Sequence, residues 1–175
     1  MKFTIALSAT GLVASGIAAA PASAAGLDLS IEIPRLRVAE YHKPYVAVWI
    51  EDDSRNAVAN LDVWYDTELK DDEGEKWLSD LRMWWRRAGR SLDMPVDGVS
   101  APTKGPGTHE MNYSVGRAPL GRLQPGKYKL VVEAAREVGG RETVTIPFQW
   151  PPRSAQTLSE EGESELSTIE LRLKP

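Results

Sequence analysis

Apolar and polar side chains alternate with a period of two along most of this chain, and that pattern predicts strands. Leu27, Leu29, Ile31 and Ile33 alternate with Asp28, Ser30 and Glu32 up to Pro34, as in a strand with one covered face. Tyr45 to Ile50 is apolar at both parities, which predicts a strand covered on both faces. Next, Leu61, Val63 and Tyr65 point one way, with Asp62 and Trp64 opposite. Four further alternations follow: Met111 to Val115, Tyr128 to Ala134, Val144 to Trp150 and Ile169 to Leu173. A polar turn over Glu51–Asn56 and the pair Gly139-Gly140 supply hairpin connections. About seven short strands without a βαβ rhythm predict an all-β sandwich of immunoglobulin-like type.

One segment keeps a different period. From Glu75 to Ala88 the apolar positions are Trp77, Leu78, Leu81, Trp84, Trp85 and Ala88, the stripe of an amphipathic α-helix. Inserted after the third strand, it would cover the outer face of Tyr45–Ile50, with Trp84 and Trp85 as core anchors. Asp71-Asp72-Glu73-Gly74-Glu75 precedes it and suits the positive end of a helix dipole. Pro125-Gly126-Lys127-Tyr128 resembles a tyrosine corner, in which the Tyr128 hydroxyl would bond back to the preceding loop. Two polar stretches, Gly89–Gly107 and Pro151–Ser164, are predicted as irregular connections, the second of them mobile.

The first 24 residues carry another signal. Lys2, a short apolar run from Phe3 to Ile17 and the small residues Ala22-Ser23-Ala24 make the three parts of a secretory signal peptide. Cleavage after Ala24 would leave one sandwich domain over residues 25–175, exported to the periplasm and not inserted in the membrane. The run is too short and too diluted by Ser8, Thr10, Ser15 and Gly16 to serve as a membrane span. Without Lys2, 20 basic side chains face 25 acidic ones, so the exported domain is mildly acidic. That argues against nucleic acid as a partner. The chain has no cysteine, so apolar packing rather than disulfides must hold the fold. The same absence removes thiolate metal sites and cysteine nucleophiles.

The remaining chemistry is sparse. His42 and His109 have no carboxylate at ligand spacing, and neither sits in a nucleophile-elbow context. No catalytic residue and no metal site are expected. Arg82, Arg86, Arg87 and Arg90 gather at the end of the predicted helix, where cations favour the negative end of the dipole. Arg136 continues the inward parity of Tyr128, Leu130, Val132 and Ala134. A buried arginine needs an acidic partner, and Asp80 on the helix is the expected one.

Several blocks resemble one family: Pro44–Asp52, Lys76–Trp85, Pro125–Tyr128 with Glu133-Ala134-Ala135-Arg136-Glu137, and Gly162-Glu163-Ser164-Glu165-Leu166. The family is the predicted periplasmic domain of unknown function numbered 2271, and the resemblance spans nearly the whole exported chain. It implies association with membrane proteins of PepSY type and with flavin transferases. The expected role is therefore an accessory or binding protein with a periplasmic or inner-membrane protein partner, no activity of its own and no cofactor. An alternative comes from Asp97-Gly98-Val99-Ser100-Ala101-Pro102-Thr103, which is similar to the flavinylation motif of FMN-binding domains. Asp97, Ser100 and the acceptor Thr103 match, while Ala101 and Pro102 replace Gly and Ala. On that reading Thr103 carries covalent FMN, and the helix arginines neutralise its phosphate.

Overall fold

The structure is a computed structural model and describes residues 25–175. The expected signal peptide, residues 1–24, lies outside them. Nine strands are described: β1 Gly26–Ile33, β2 Tyr45–Asp52, β3 Ala57–Tyr65, β4 Ser100–Pro102, β5 Gly107–Ser114, β6 Gly126–Ala135, β7 Arg141–Trp150, β8 Gln156–Glu161 and β9 Thr168–Lys174. They form two sheets, ordered β5-β1-β9-β8 and β4-β3-β2-β6-β7. The sheets face each other as a sandwich. Leu27, Leu29 and Ile31 of β1 and Ile169, Leu171 and Leu173 of β9 meet Val46, Val48 and Ile50 of β2 and Leu130 and Val132 of β6. No helix among the described residues is long and apolar enough to cross a membrane.

The doubly apolar β2 has the double cover its pattern demands. Val46, Val48 and Ile50 enter the sandwich interior, while Ala47 and Trp49 pack outward against Leu78, Leu81 and Trp84. The covering segment is not the single α-helix expected over Glu75–Ala88. Lys70–Asp80 is 3-10 helix, Leu81 breaks it at φ −75° and ψ 69°, and α1 runs only from Arg82 to Arg87. A 3-10 helix has three residues per turn, so positions three apart share a side. Trp77 and its neighbour Leu78 are therefore on different sides of the 3-10 segment: Leu78 is buried, as are Leu81 at the break and Trp84 of α1, whereas Trp77 is 56% exposed. Trp84 is a core anchor, and Trp85 is half-buried.

The carboxylate at the start of α1 is not one of the acids ahead of the helix. It is Glu133 of β6, 1% exposed, which accepts hydrogen bonds from Met83 N (3.0 Å) and Trp84 N (2.8 Å). Glu133 lies on the outward parity of β6 between Val131 and Ala135, so it stands directly under the helix it caps.

Two strands are absent from the sequence pattern. β4 has three residues and pairs in parallel with the end of β3, Tyr65 opposite Pro102. β8 is a polar edge strand, paired with β9 alone, with no apolar alternation. Six residues of the stretch expected to be a mobile connection, Gln156–Glu161, thus form an ordered edge. A β-bulge also shifts the parity of β3. Val48 faces Asp62 while Trp49 faces Asn60, so Leu61 and Trp64 join the interior, and Val63 and Tyr65 face outward. Tyr128 forms the corner: its hydroxyl donates to Gln124 O at 2.8 Å and its ring stacks on Phe148.

The bulge also brings Asp62 into the interior, where it accepts from the Tyr113 hydroxyl and from Trp64 Nε1 (3.1 Å). Burial pushes the Asp62 carboxyl above its ordinary value, against the pull of those two donors and of Lys104. A carboxyl raised by folding favours the native state below its unfolded value, and this contribution is lost as pH rises through the folded value. Asp62→Asn keeps an acceptor for Trp64, and its amide N–H can donate to the Tyr113 hydroxyl, which then accepts instead of donating. Its stability relative to the parent is expected to improve as pH rises above about 4. Urea melts at acidic and neutral pH check this, and a parent that gains on the variant with pH contradicts it.

Candidate functional site

Four strands of the five-stranded sheet meet their connections at one end. There Tyr45 opens β2 opposite Ala135, the last residue of β6, and Tyr65 closes β3 opposite Pro102 of β4. The 3-10 segment closes in from the side. Tyr45 Oη donates to Gly74 O at 3.1 Å. Gly74 sits so near the end of β3 that a Cβ there would lie 1.9 Å from Asp66 O, so only glycine permits the approach.

Between these ends lies a cavity of about 570 Å³. The β1–β2 connection and the start of β2 bring Tyr41, His42, Lys43 and Tyr45 to it, and the 3-10 segment brings Trp77 and Asp80. The strand ends add Asp66 and Thr103, and the β6–β7 hairpin adds Arg136, Glu137 and Val138. Two of the exposed large apolar side chains, Trp77 and Val138 (75%), therefore stand at this one opening. His42 is held in place by Glu40 (2.9 Å) and Glu137 (3.4 Å).

Arg136 is held from below. Its Nε and Nη2 donate to the two carboxylate oxygens of Glu165 at 2.8 and 3.0 Å, and Gly140 N donates to the same carboxylate at 2.8 Å. The side chains are 6% and 4% exposed. The partner is thus Glu165, not the expected Asp80, which lines the cavity without pairing with Arg136. The reason lies in the loop before β9. Glu142 of β7 accepts from the backbone N–H groups of Glu163, Ser164, Glu165 and Leu166, fixing that loop so that Glu165 points inward. Burial alone would raise the Glu142 carboxyl, but those four N–H groups outweigh it and hold it below its ordinary value. The guanidinium also fills the inside of the hairpin: a Cβ on Gly139 would lie 2.4 Å from Arg136 Cζ.

Among the described residues, two buried side-chain polar atoms have no hydrogen-bond partner: Arg136 Nη1 and Tyr41 Oη. Both belong to residues of this cavity. They are also neighbours in field. Burial raises the Tyr41 phenol, and the Arg136 charge pulls it back. The guanidinium N–H can only donate and the phenol hydroxyl can donate or accept, so an acceptor oxygen from a ligand would satisfy either.

The family model DUF2271, described as a predicted periplasmic protein, matches residues 26–168. The chain belongs to the DUF2271 family. No curated protein and no solved structure matches it.

In this DUF2271 chain the residues singled out from the sequence separate into groups. Thr103, Arg136 and Asp80 come together at the cavity. Ser100 belongs to β4, and its hydroxyl accepts from Val96 N at 2.9 Å. Asp97 is exposed in the turn before β4. Thr103 follows Pro102 directly, and its backbone N–H bonds to Tyr65 O at 3.1 Å, so the motif is pinned to the sheet and is not a free loop. The helix arginines do not reach Thr103. Arg82 and Arg86 border a separate groove, and Arg87 Nε lies 3.4 Å from Glu51. The cation of the cavity rim is Lys43. Sequence reasoning missed Tyr41, Tyr45 and Trp77 as site residues.

Proposed function

We propose that this DUF2271 chain is a periplasmic binding protein of accessory type, and that its ligand occupies the cavity between Trp77 and Arg136. The observation that carries this reading is the coincidence of two unpartnered buried donors with an exposed tryptophan at one opening. Buried polar groups without partners cost about 1–3 kcal/mol each, a cost that a ligand acceptor would offset. The ligand class follows from the lining: a small molecule with an oxygen acceptor for Arg136 and Tyr41 and a flat apolar face for Trp77. A membrane redox or transport protein is the partner this reading would serve.

A second reading has its own support. Thr103, the acceptor of the flavinylation-like motif, lies at the same cavity as Trp77 and Tyr45. The aromatic lining and the volume fit a flavin linked through its phosphate to Thr103, with Lys43 as the phosphate's counter-charge. A flavin bound there would supply electron transfer, and the chain would supply position and shielding from water.

Mass spectrometry of protein isolated from the native periplasm separates the readings. In non-denaturing spray, the parent is expected to carry a bound mass that Trp77→Ala loses. If that mass survives denaturation and disappears in Thr103→Ala, the flavin reading holds. Bare polypeptide from the parent under both conditions contradicts both. Trp77 is exposed, so Trp77→Ala is expected to leave the melting temperature within about 2 °C of the parent.

A further inference from the structure

Arg82 and Arg86 stand one turn apart on α1, and Arg141 opens β7. The three border one open groove of about 420 Å³, together with the half-buried Met83 and Trp85. All three arginines are exposed, and among the described residues none is in an ion pair. That is notable in a chain whose acids outnumber its bases by 25 to 21. The acid lining the groove, Glu133, is buried, and both its oxygens are taken by Met83 N and Trp84 N. Arg86 Nε donates to Arg82 O at 3.2 Å, and the other N–H groups of the three guanidiniums have no acceptor among the described residues.

We infer that this groove docks an acidic peptide segment of a partner protein, with carboxylates on Arg82, Arg86 and Arg141 and an apolar side chain against Trp85 and Met83. Guanidinium groups bind carboxylates through paired N–H donors, and arginine stems and tryptophan tolerate an apolar neighbour. Single exposed pairs are weak, so recognition depends on the three acting together. The surroundings choose a peptide over a membrane. The groove is concave, and past Arg141 it gives way to Glu160, Glu161 and Glu163. Those acids would be repelled by a broad anionic surface, while a narrow segment avoids them. The site is separate from the Trp77 cavity, and the inference does not depend on what that cavity binds.

The test uses the purified exported chain and a fluorescein-labelled Asp-Glu-Leu-Asp-Glu peptide, read by anisotropy at low ionic strength. Its uncharged analogue Asn-Gln-Leu-Asn-Gln and phosphatidylglycerol vesicles are run in parallel. The acidic peptide is expected to bind roughly tenfold more tightly than the analogue, with affinity falling as salt is added. The triple variant Arg82→Gln/Arg86→Gln/Arg141→Gln is expected to lose that preference while melting like the parent, and Trp77→Ala to keep it. Equal affinity for the two peptides, an unchanged preference in the triple variant, or arginine-dependent binding to the vesicles without the peptide would each overturn the inference.

Discussion

Replacing Trp84 by alanine is expected to destabilise the fold by about 3–5 kcal/mol, the usual cost of deleting a large buried aromatic. For a domain of this size that corresponds to a fall in melting temperature of roughly 6–20 °C. Three observations place the effect at Trp84. It is fully buried between α1 and the outer face of β2. Its Nε1 donates to Asn60 Oδ1 at 3.0 Å, so truncation also strips a partner from β3. Its backbone N–H is held by Glu133. The same substitution at Trp85, half-buried and tilted against Trp84 at 6.2 Å between centroids, should cost less. At Trp77 it should cost almost nothing. Thermal melts of the three variants check the order, and a Trp84→Ala variant melting with the parent would mean that the helical segment does not cover the sheet.

Glu165→Leu is expected to cost about 3–5 kcal/mol, because it leaves the buried Arg136 guanidinium without its counter-charge. Arg136→Met alone should cost a similar amount by stranding the Glu165 carboxylate. The double variant Arg136→Met/Glu165→Leu should be more stable than either single one, since an apolar pair of similar volume removes both desolvation penalties. Urea denaturation of the four proteins closes the cycle. If the double variant loses the sum of the two single losses, the residues act independently and the ion pair does not organise this end of the sandwich.

Much of the fold was legible because alternation reports burial directly. β1, β6, β7 and β9 each place one parity in a common interior, and β2, apolar at both parities, required a cover on its outer face. What escaped did so for local reasons. β8 is solvated at nearly every position, so it has no hydrophobic pattern to reveal its pairing. β4 is too short for a period. The bulge at Leu61 inverts the parity that simple counting assigns to β3. In the covering segment the expected single helix puts Trp77 on one stripe with Leu78, Leu81 and Trp84, and the change from 3-10 to α at Leu81 leaves Trp77 exposed.

The site was legible in its parts and not in its assembly. Arg136 on an inward parity implied a buried acidic partner, and such a partner exists. Nothing in the sequence distinguished Glu165 from the acids of the polar stretch just before it. The choice depends on Glu142, which gathers four backbone N–H groups from a loop more than twenty residues away. Likewise, Thr103 could be noticed from its motif, but its place beside Tyr45 and Trp77 arises only when the ends of β2, β3, β4 and β6 are brought together.

The most direct measurement of the central claim is a crystal structure of the chain purified, without refolding, from the cells that produce it. The account predicts ligand density in the cavity, with an acceptor oxygen within hydrogen-bonding distance of Arg136 Nη1 and Tyr41 Oη and a flat group against Trp77. Ordered water alone in that cavity, with a ligand bound elsewhere on the sandwich, would contradict it.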